Sequence, residues 1–152
     1  MQTIEVGMAD FLVANDTFIL ESKGIGSCVV TCLYDSTRKI GALSHIMLPE
    51  RPETLDLNPR RFADTALPMA LEELERKGCE LRHLTAHIVG GASMFEHIGT
   101  FINNIGEQNI EAVKRVLADQ NIHIVSANIG GGKGRNVTFY LDSGKVVVGS
   151  KT

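Results

Sequence analysis

The sequence predicts an α+β fold, a layered α/β sandwich with a mixed, largely antiparallel β core and helices packed on its outer faces. Three observations point there. Short apolar runs broken by Gly, Asn, Asp and Ser dominate the chain, most of them are joined by short turns into hairpins, and only two segments carry apolar residues at helical spacing.

Residues 4–6, 11–14, 18–20, 28–34 and 40–48 read as strands. Asp35-Ser36-Thr37-Arg38-Lys39 is rich in turn formers and makes 28–34 and 40–48 an antiparallel hairpin. Counted outward from a turn centred near Thr37, position 28 faces a residue near 46, so Cys28 and His45 fall within one step of opposition. The polar stretch 50–58, with Pro49, Pro52 and Pro59 in or beside it, reads as an exposed loop that can border a site.

Asn58 is placed as a helix N-cap with Pro59 at the first helical position. Phe62, Ala66, Met69 or Ala70, and Leu74 then recur at helical spacing until Arg76-Lys77-Gly78 supplies a basic last turn and a stop. Pro68 inside this stretch predicts a kink or a restart. Residues 84–89 form a further strand. Residues 105–117 form a second helix with Ile110, Val113 and Val116 or Leu117 on one face, and Asn104 and Glu107 have the spacing of a capping pair. Strands at 122–127, 137–141 and 146–148 close the chain, the last two joined across Asp142-Ser143-Gly144. The count is about eight strands and two main helices, without repeats or low-complexity tracts.

At 152 residues the chain suits one domain over 1–152, able to bury roughly 70% of its unfolded surface. Lys and Arg total 15 against 18 Asp and Glu, and no basic block tracks a phosphate backbone, which argues against a nucleic-acid partner. The amino terminus lacks a basic region followed by an apolar run, and no apolar stretch approaches the ~18 residues of a membrane helix, so a soluble, unexported, cytoplasmic protein is expected. Cys28, Cys32 and Cys79 are odd in number, which favours free thiols in a reducing compartment.

Gly24-Ile25-Gly26-Ser27-Cys28 leads into a strand, and its glycines allow backbone angles that expose the following side chain and aim amide N–H groups. Such a turn suits a nucleophile; it equally suits a glycine turn before a buried, inert Cys. A catalytic thiol needs a nearby imidazole or aligned dipoles to form its thiolate at neutral pH. His45 interrupts the apolar Ala42-Leu43-Ser44-His45-Ile46-Met47-Leu48, and a buried imidazole there needs partners for both nitrogens, one of which the thiol can be. Ser22, Ser44 and Thr31 are the nearby groups able to orient the imidazole, and the sequence does not choose among them.

Other constellations carry less. Cys28, Cys32 and His45 lack a clear fourth ligand for zinc, and His83 and His87, placed on a strand, read as one polar face. Gly130-Gly131-Gly132-Lys133-Gly134-Arg135 departs from the phosphate-loop pattern and precedes a strand, so Arg135 or the loop's amides are expected to line a groove instead. Gly90-Gly91-Ala92-Ser93-Met94-Phe95 suggests a close-packed turn with an apolar wall. No cofactor and no metal are expected.

Together, Gly26-Ser27-Cys28, Ser44-His45-Ile46-Met47-Leu48-Pro49, Gly90-Gly91-Ala92-Ser93-Met94-Phe95, Ile105-Gly106 with Asn109, and Gly130-Gly131 with Gly134-Arg135 resemble the CheD family of chemoreceptor glutamine deamidases, along almost the whole chain. The resemblance implies hydrolysis of selected glutamines on methyl-accepting chemotaxis receptors to glutamate with release of ammonia, through a cysteine thioester, with methyl-ester hydrolysis beside it. It also implies pairing with a CheC-type phosphatase that acts on phosphorylated CheY, and a layered α/β sandwich. A binding and regulatory role toward such a phosphatase, with little turnover, is the alternative. Carried over by motif, the nucleophile is Cys28, the base His45, and the third member Ser22, where the family has Thr. Gly26, Ser27, Ser44 and Arg135 are the candidates to bind substrate or the oxyanion. Gln108 stands where the family often has Arg.

Overall fold

The computed structural model describes residues 1–52, 58–93 and 104–150. Among them lie nine strands: β1 (Gln2–Glu5), β2 (Asp10–Asn15), β3 (Phe18–Ile25), β4 (Val29–Asp35), β5 (Ile40–Ile46), β6 (Leu84–Gly90), β7 (His123–Ile129), β8 (Arg135–Tyr140) and β9 (Lys145–Ser150). The helices are α1 (Ala63–Arg76) and α2 (Ile105–Asp119), with short 3-10 turns at Pro59–Arg61 and Leu81–His83.

The strands form two sheets, β1-β3-β8-β9 and β2-β5-β4-β6-β7. Only β1–β3 and β6–β7 pair in parallel, so the core is mixed and largely antiparallel, as expected. The sheets face each other across one apolar layer, in which Cys28, Val30, Cys32 and Tyr34 meet Leu20, Ile25, Val137 and Phe139. A second layer lies between the five-stranded sheet and both helices, where Val29, Leu33 and Ile88 meet Ala66, Leu67, Leu71, Val113 and Leu117. Both helices therefore cover the same outer face. With one layer on each side, β4 is buried along its whole length, which explains why its residues are apolar on both faces but for Thr31 and the terminal Asp35.

Three local expectations are revised. Asn58 does cap a turn, accepting from Arg60 N at 3.0 Å, but that turn is the 3-10 segment, and α1 begins afterwards at Ala63. Its first amides bond instead to Leu48 O and Pro49 O, so the chain leaving β5 does the capping. Pro68 does not restart the helix; it lies on the exposed face, and the carbonyl it leaves without a donor belongs to exposed Asp64. The predicted cap of α2 is present, Asn104 Oδ1 accepting from Glu107 N at 3.1 Å. His83 ends a 3-10 turn and only His87 lies on β6, so the two do not share a strand face. Of the predicted loop at 50–58, residues 53–57 lie outside the described residues, as do Met94 and Phe95.

Candidate active site

The β4–β5 hairpin pairs Val29 with Ile46, Val30 with His45 and Asp35 with Ile40. Four residues, Ser36 to Lys39, separate the last pair, so the turn is centred half a residue beyond Thr37 and the register moves by one from the expected one. That step matters, because side chains alternate faces with a period of two. His45 shares its face with Val30 and hence with Cys28, which precedes β4 and stands diagonally across the ladder from it. Diagonal neighbours lie roughly 7–8 Å apart at Cα, within reach of an imidazole.

His45 is 3% exposed. Its Nδ1 donates to Val6 O at 3.3 Å, which leaves Nε2 as the lone-pair nitrogen, buried and without a hydrogen-bond partner in the protein. The same carbonyl accepts from Ser22 Oγ at 2.6 Å. Ser22 and His45 thus converge on Val6 O, and no hydrogen bond joins them to each other. Val6 is fixed by its own N–H, which donates to Glu21 O beside Ser22. The backbone carbonyl is the group that orients the ring.

The chain leading into Cys28 is held on three successive carbonyls. Gly26 O accepts from Ala92 N at 2.9 Å, and Cys28 O accepts from Gly91 N at 2.8 Å. Between them Ser27 O accepts from the side-chain amide of Asn109, on α2, at 2.9 Å. Gly90 has φ +116° and its missing Cβ would stand 2.3 Å from Cys28 O, so only glycine admits this approach. The Ser27 and Cys28 N–H groups have no protein acceptor among the described residues apart from Cys28's own thiol.

The Cys28 thiol and the His45 imidazole are both held in their neutral forms near pH 7. Burial pushes the Cys28 thiol up, partly opposed by its own backbone N–H, and burial pushes His45 down despite the bond to Val6. No hydrogen bond links thiol to imidazole. The arrangement suits proton transfer from thiol to Nε2 during attack better than a standing thiolate–imidazolium pair. Cys32 and Cys79 are also free thiols; both are raised by burial, Cys79 to about 11 with the Asp35 carboxylate contributing. Among the described residues no cluster of three or more His, Cys, Asp or Glu is arranged to hold a metal.

Of the residues named from the sequence, Cys28, His45 and Ser22 face the inter-sheet layer, and Gly26 and Ser27 form the rim. Ser44 is not brought to them. It pairs with Thr31 on the opposite face, toward the helices, where both hydroxyls are buried without partners. Arg135 pairs with Ile25 in the ladder, but its guanidinium bonds Asn128 Oδ1 and Gly130 O. The glycine loop before it lines a groove of about 380 Å³ and touches the site through Ser93 N, which donates to Gly131 O. Two residues escaped sequence reasoning as participants. Val6 acts through its backbone, which leaves no mark in the sequence. Asn109 did leave one, since it interrupts the buried stripe Gly106, Asn109, Val113, Leu117 of α2.

Comparison with known proteins gives a consistent result. The family model described as CheD chemotactic sensory transduction matches residues 47–150, more than half of the 152. Similar proteins include a probable chemoreceptor glutamine deamidase CheD of Clostridium novyi, 45% identical over 147 residues and covering 95% of this chain and 91% of that protein. Another is the chemoreceptor glutamine deamidase CheD of Thermotoga maritima, 38% identical over 143 residues, 94% of this chain and 88% of that one. The family-model match begins after His45, whereas alignments of this extent run across both Cys28 and His45. Among solved structures, the Bacillus licheniformis hypothetical protein YfiH superposes with a TM-score of 0.51 at 14% identity, over 78% of this chain and 50% of that one, a likeness of fold alone. No described helix is long and apolar enough to cross a membrane.

Proposed function

This chain belongs to the CheD family, and from that premise we propose that it is a protein-glutamine deamidase acting on chemoreceptors, with Cys28 as nucleophile and His45 as its base. The observation that carries the residue assignment is His45 itself: a buried imidazole whose Nδ1 is held by Val6 O and whose partnerless Nε2 shares a face with Cys28.

In the proposed reaction the Cys28 proton passes to His45 Nε2 as Sγ attacks the side-chain carboxamide carbon. The tetrahedral oxyanion collapses with cleavage of the C–N bond, and the amine takes the proton from His45 and leaves as ammonia. Water, deprotonated by His45, then attacks the thioester; the C–S bond breaks, Cys28 recovers its proton, and glutamate is released. The Ser27 and Cys28 N–H groups are the donors offered to the oxyanion, each such donor being worth about 10² to 10³ in rate. A glutamate methyl ester follows the same route with methanol as leaving group. The reading takes residues 1–152 as one deamidase domain working on the receptor's cytoplasmic helices, in the cytoplasm, with a CheC-type phosphatase as a second partner.

Mass spectrometry of a receptor cytoplasmic fragment incubated with the protein tests this. The parent is expected to convert selected glutamines to glutamate, and Cys28→Ala to lose more than about 10³-fold of that rate. Conversion undiminished in Cys28→Ala overturns the mechanism. One observation favours a second reading, in which the chain chiefly regulates the phosphatase: thiol and imidazole are both neutral at rest and not hydrogen-bonded. Tight phosphatase binding by Cys28→Ala, with no turnover by the parent, decides for it.

A further inference from the structure

We propose that Asn109 is a positioning residue for this hydrolysis: it sets the Ser27–Cys28 peptide so that the Cys28 N–H faces the oxyanion, and it fixes the strand end carrying His45 against Cys28. The proposal rests on the Cys28–His45 reading above.

Asn109 is fully buried in α2, and its amide nitrogen donates to two backbone carbonyls, Ser27 O and Met47 O, each at 2.9 Å. These carbonyls sit at the open end of the β4–β5 hairpin, one residue before Cys28 and two after His45. The ladder itself stops at Val29 and Ile46, so nothing in the sheet joins the two chains beyond that pair. The Asn109 amide is the cross-link there, in place of the next rung.

The first bond also fixes a direction. The Ser27–Cys28 peptide is trans, as are the others among the described residues, and in a trans peptide the C=O and N–H point to opposite sides. With Ser27 O turned toward α2, the Cys28 N–H of the same peptide is turned away from it, toward the face that holds the thiol. Gly26 O and Cys28 O on either side are pinned by the backbone amides of Ala92 and Gly91, in that order, which side-chain truncation does not remove; the central carbonyl alone depends on a side chain. The helix is seated on those same residues, since a Cβ on Gly106 would lie 2.4 Å from Ala92 O. Nucleophile turn, glycine turn and α2 thus form one assembly, with Asn109 as its adjustable bond.

The test uses the full chain with the receptor fragment as substrate. Asn109→Ala is expected to lower kcat about 10- to 100-fold with KM within about twofold, because it misaligns a donor without removing it. Val113→Ala, which empties a buried site one turn along the same helix, supplies the control for lost packing and is expected to lower the thermal midpoint while keeping kcat. Parental kcat in folded Asn109→Ala, or an equal kcat loss in Val113→Ala, overturns the proposal. Should Asn109→Ala not fold, Asn109→Asp decides. Facing two carbonyls, its carboxyl is held protonated and donates one bond, so its kcat relative to the parent is expected to fall as pH rises and the carboxyl ionises. A ratio that does not change with pH overturns the proposal. Cys28→Ala assayed alongside separates the two failures: turnover by that variant sinks the underlying reading, whereas an inactive Cys28→Ala with an unimpaired Asn109→Ala sinks only this one.

Discussion

At the turn end of the β4–β5 hairpin the buried Asp35 carboxylate accepts hydrogen bonds from Thr37 N, Arg38 N and the Arg38 guanidinium, at 3.0 to 3.2 Å. At the open end of the same hairpin, His45 Nε2 and Asn109 Oδ1 are buried with no partner in the protein. An unsatisfied buried polar atom costs about 1–3 kcal/mol, so the two ends contribute with opposite signs. The difference separates two jobs within one supersecondary unit. The closed end sets register and stability. The open end holds its polar atoms without protein partners at a cost in stability, as the proposed proton acceptor at His45 would require.

The largest expected effect comes from removing the cost at the open end. His45→Leu takes away the partnerless nitrogen, and Val6 O keeps its bond from Ser22. Turnover is expected to fall by about 10² to 10⁴, with the thermal midpoint unchanged or raised. A drop of several degrees would mean that His45 stabilises the fold and that the two ends do not differ in sign. The pH profile reports on the same nitrogen. Burial holds His45 below its ordinary 6.5, so the imidazole stays neutral at pH 7 and kcat/KM should decline only below about pH 6.5. The sign for stability follows: a folded pKa below the unfolded one means the unfolded chain binds more protons in that window, so stability falls as pH drops below 6.5. His45→Leu should lose that part of the acid sensitivity, read from urea midpoints at pH 5 and pH 7.

The closed end should answer in the opposite way. Burial pushes the Asp35 carboxyl up, but the amide bonds from Arg38 and Thr37 and the Arg38 guanidinium more than offset it and hold the group below the usual carboxylate range. Asp35→Ala removes a fully buried acceptor of three bonds. A loss of about 2 kcal/mol in urea denaturation is expected, with kcat of the folded protein unchanged. Loss of kcat without loss of stability contradicts the division between the ends.

The same contrast governs how much the sequence disclosed. The hairpin, both helices and the sandwich were legible because apolar period and turn residues are local signals, and Asp35 to Lys39 spell out their turn. Cys28 and His45 stood out as a thiol after a glycine turn and a polar break in an apolar strand. Their shared face was not legible, since it rests on a register that a half-residue shift of the turn decides. The orienting role of Val6 is hidden entirely, because any residue there offers the same carbonyl, and Ser44 is eligible from sequence alone because its face depends on the strand register. Asn109 lay in between: its place in an apolar helical stripe was visible, but its partners, Ser27 and Met47, are 82 and 62 residues away in sequence.

The smallest effect concerns Ser22, which touches the site one bond further back. Its hydroxyl donates to Val6 O and is fully buried, so Ser22→Thr keeps the donor and adds one methyl to the inter-sheet layer. A β-branched side chain is stiffer at χ1 and suits a strand, so the hydroxyl loses less freedom on folding. Kcat is expected to stay within about threefold and stability to change by less than about 1 kcal/mol, because the carbonyl, not the hydroxyl, holds His45. A tenfold or greater rise in kcat would place the hydroxyl's freedom at the centre of imidazole alignment. A tenfold fall with intact stability would mean that the methyl displaces Val6 from the ring. The rise would move the orienting role from the backbone to the side chain and redraw the open end of the hairpin as a three-side-chain site, whereas the fall would leave that role with the Val6 carbonyl.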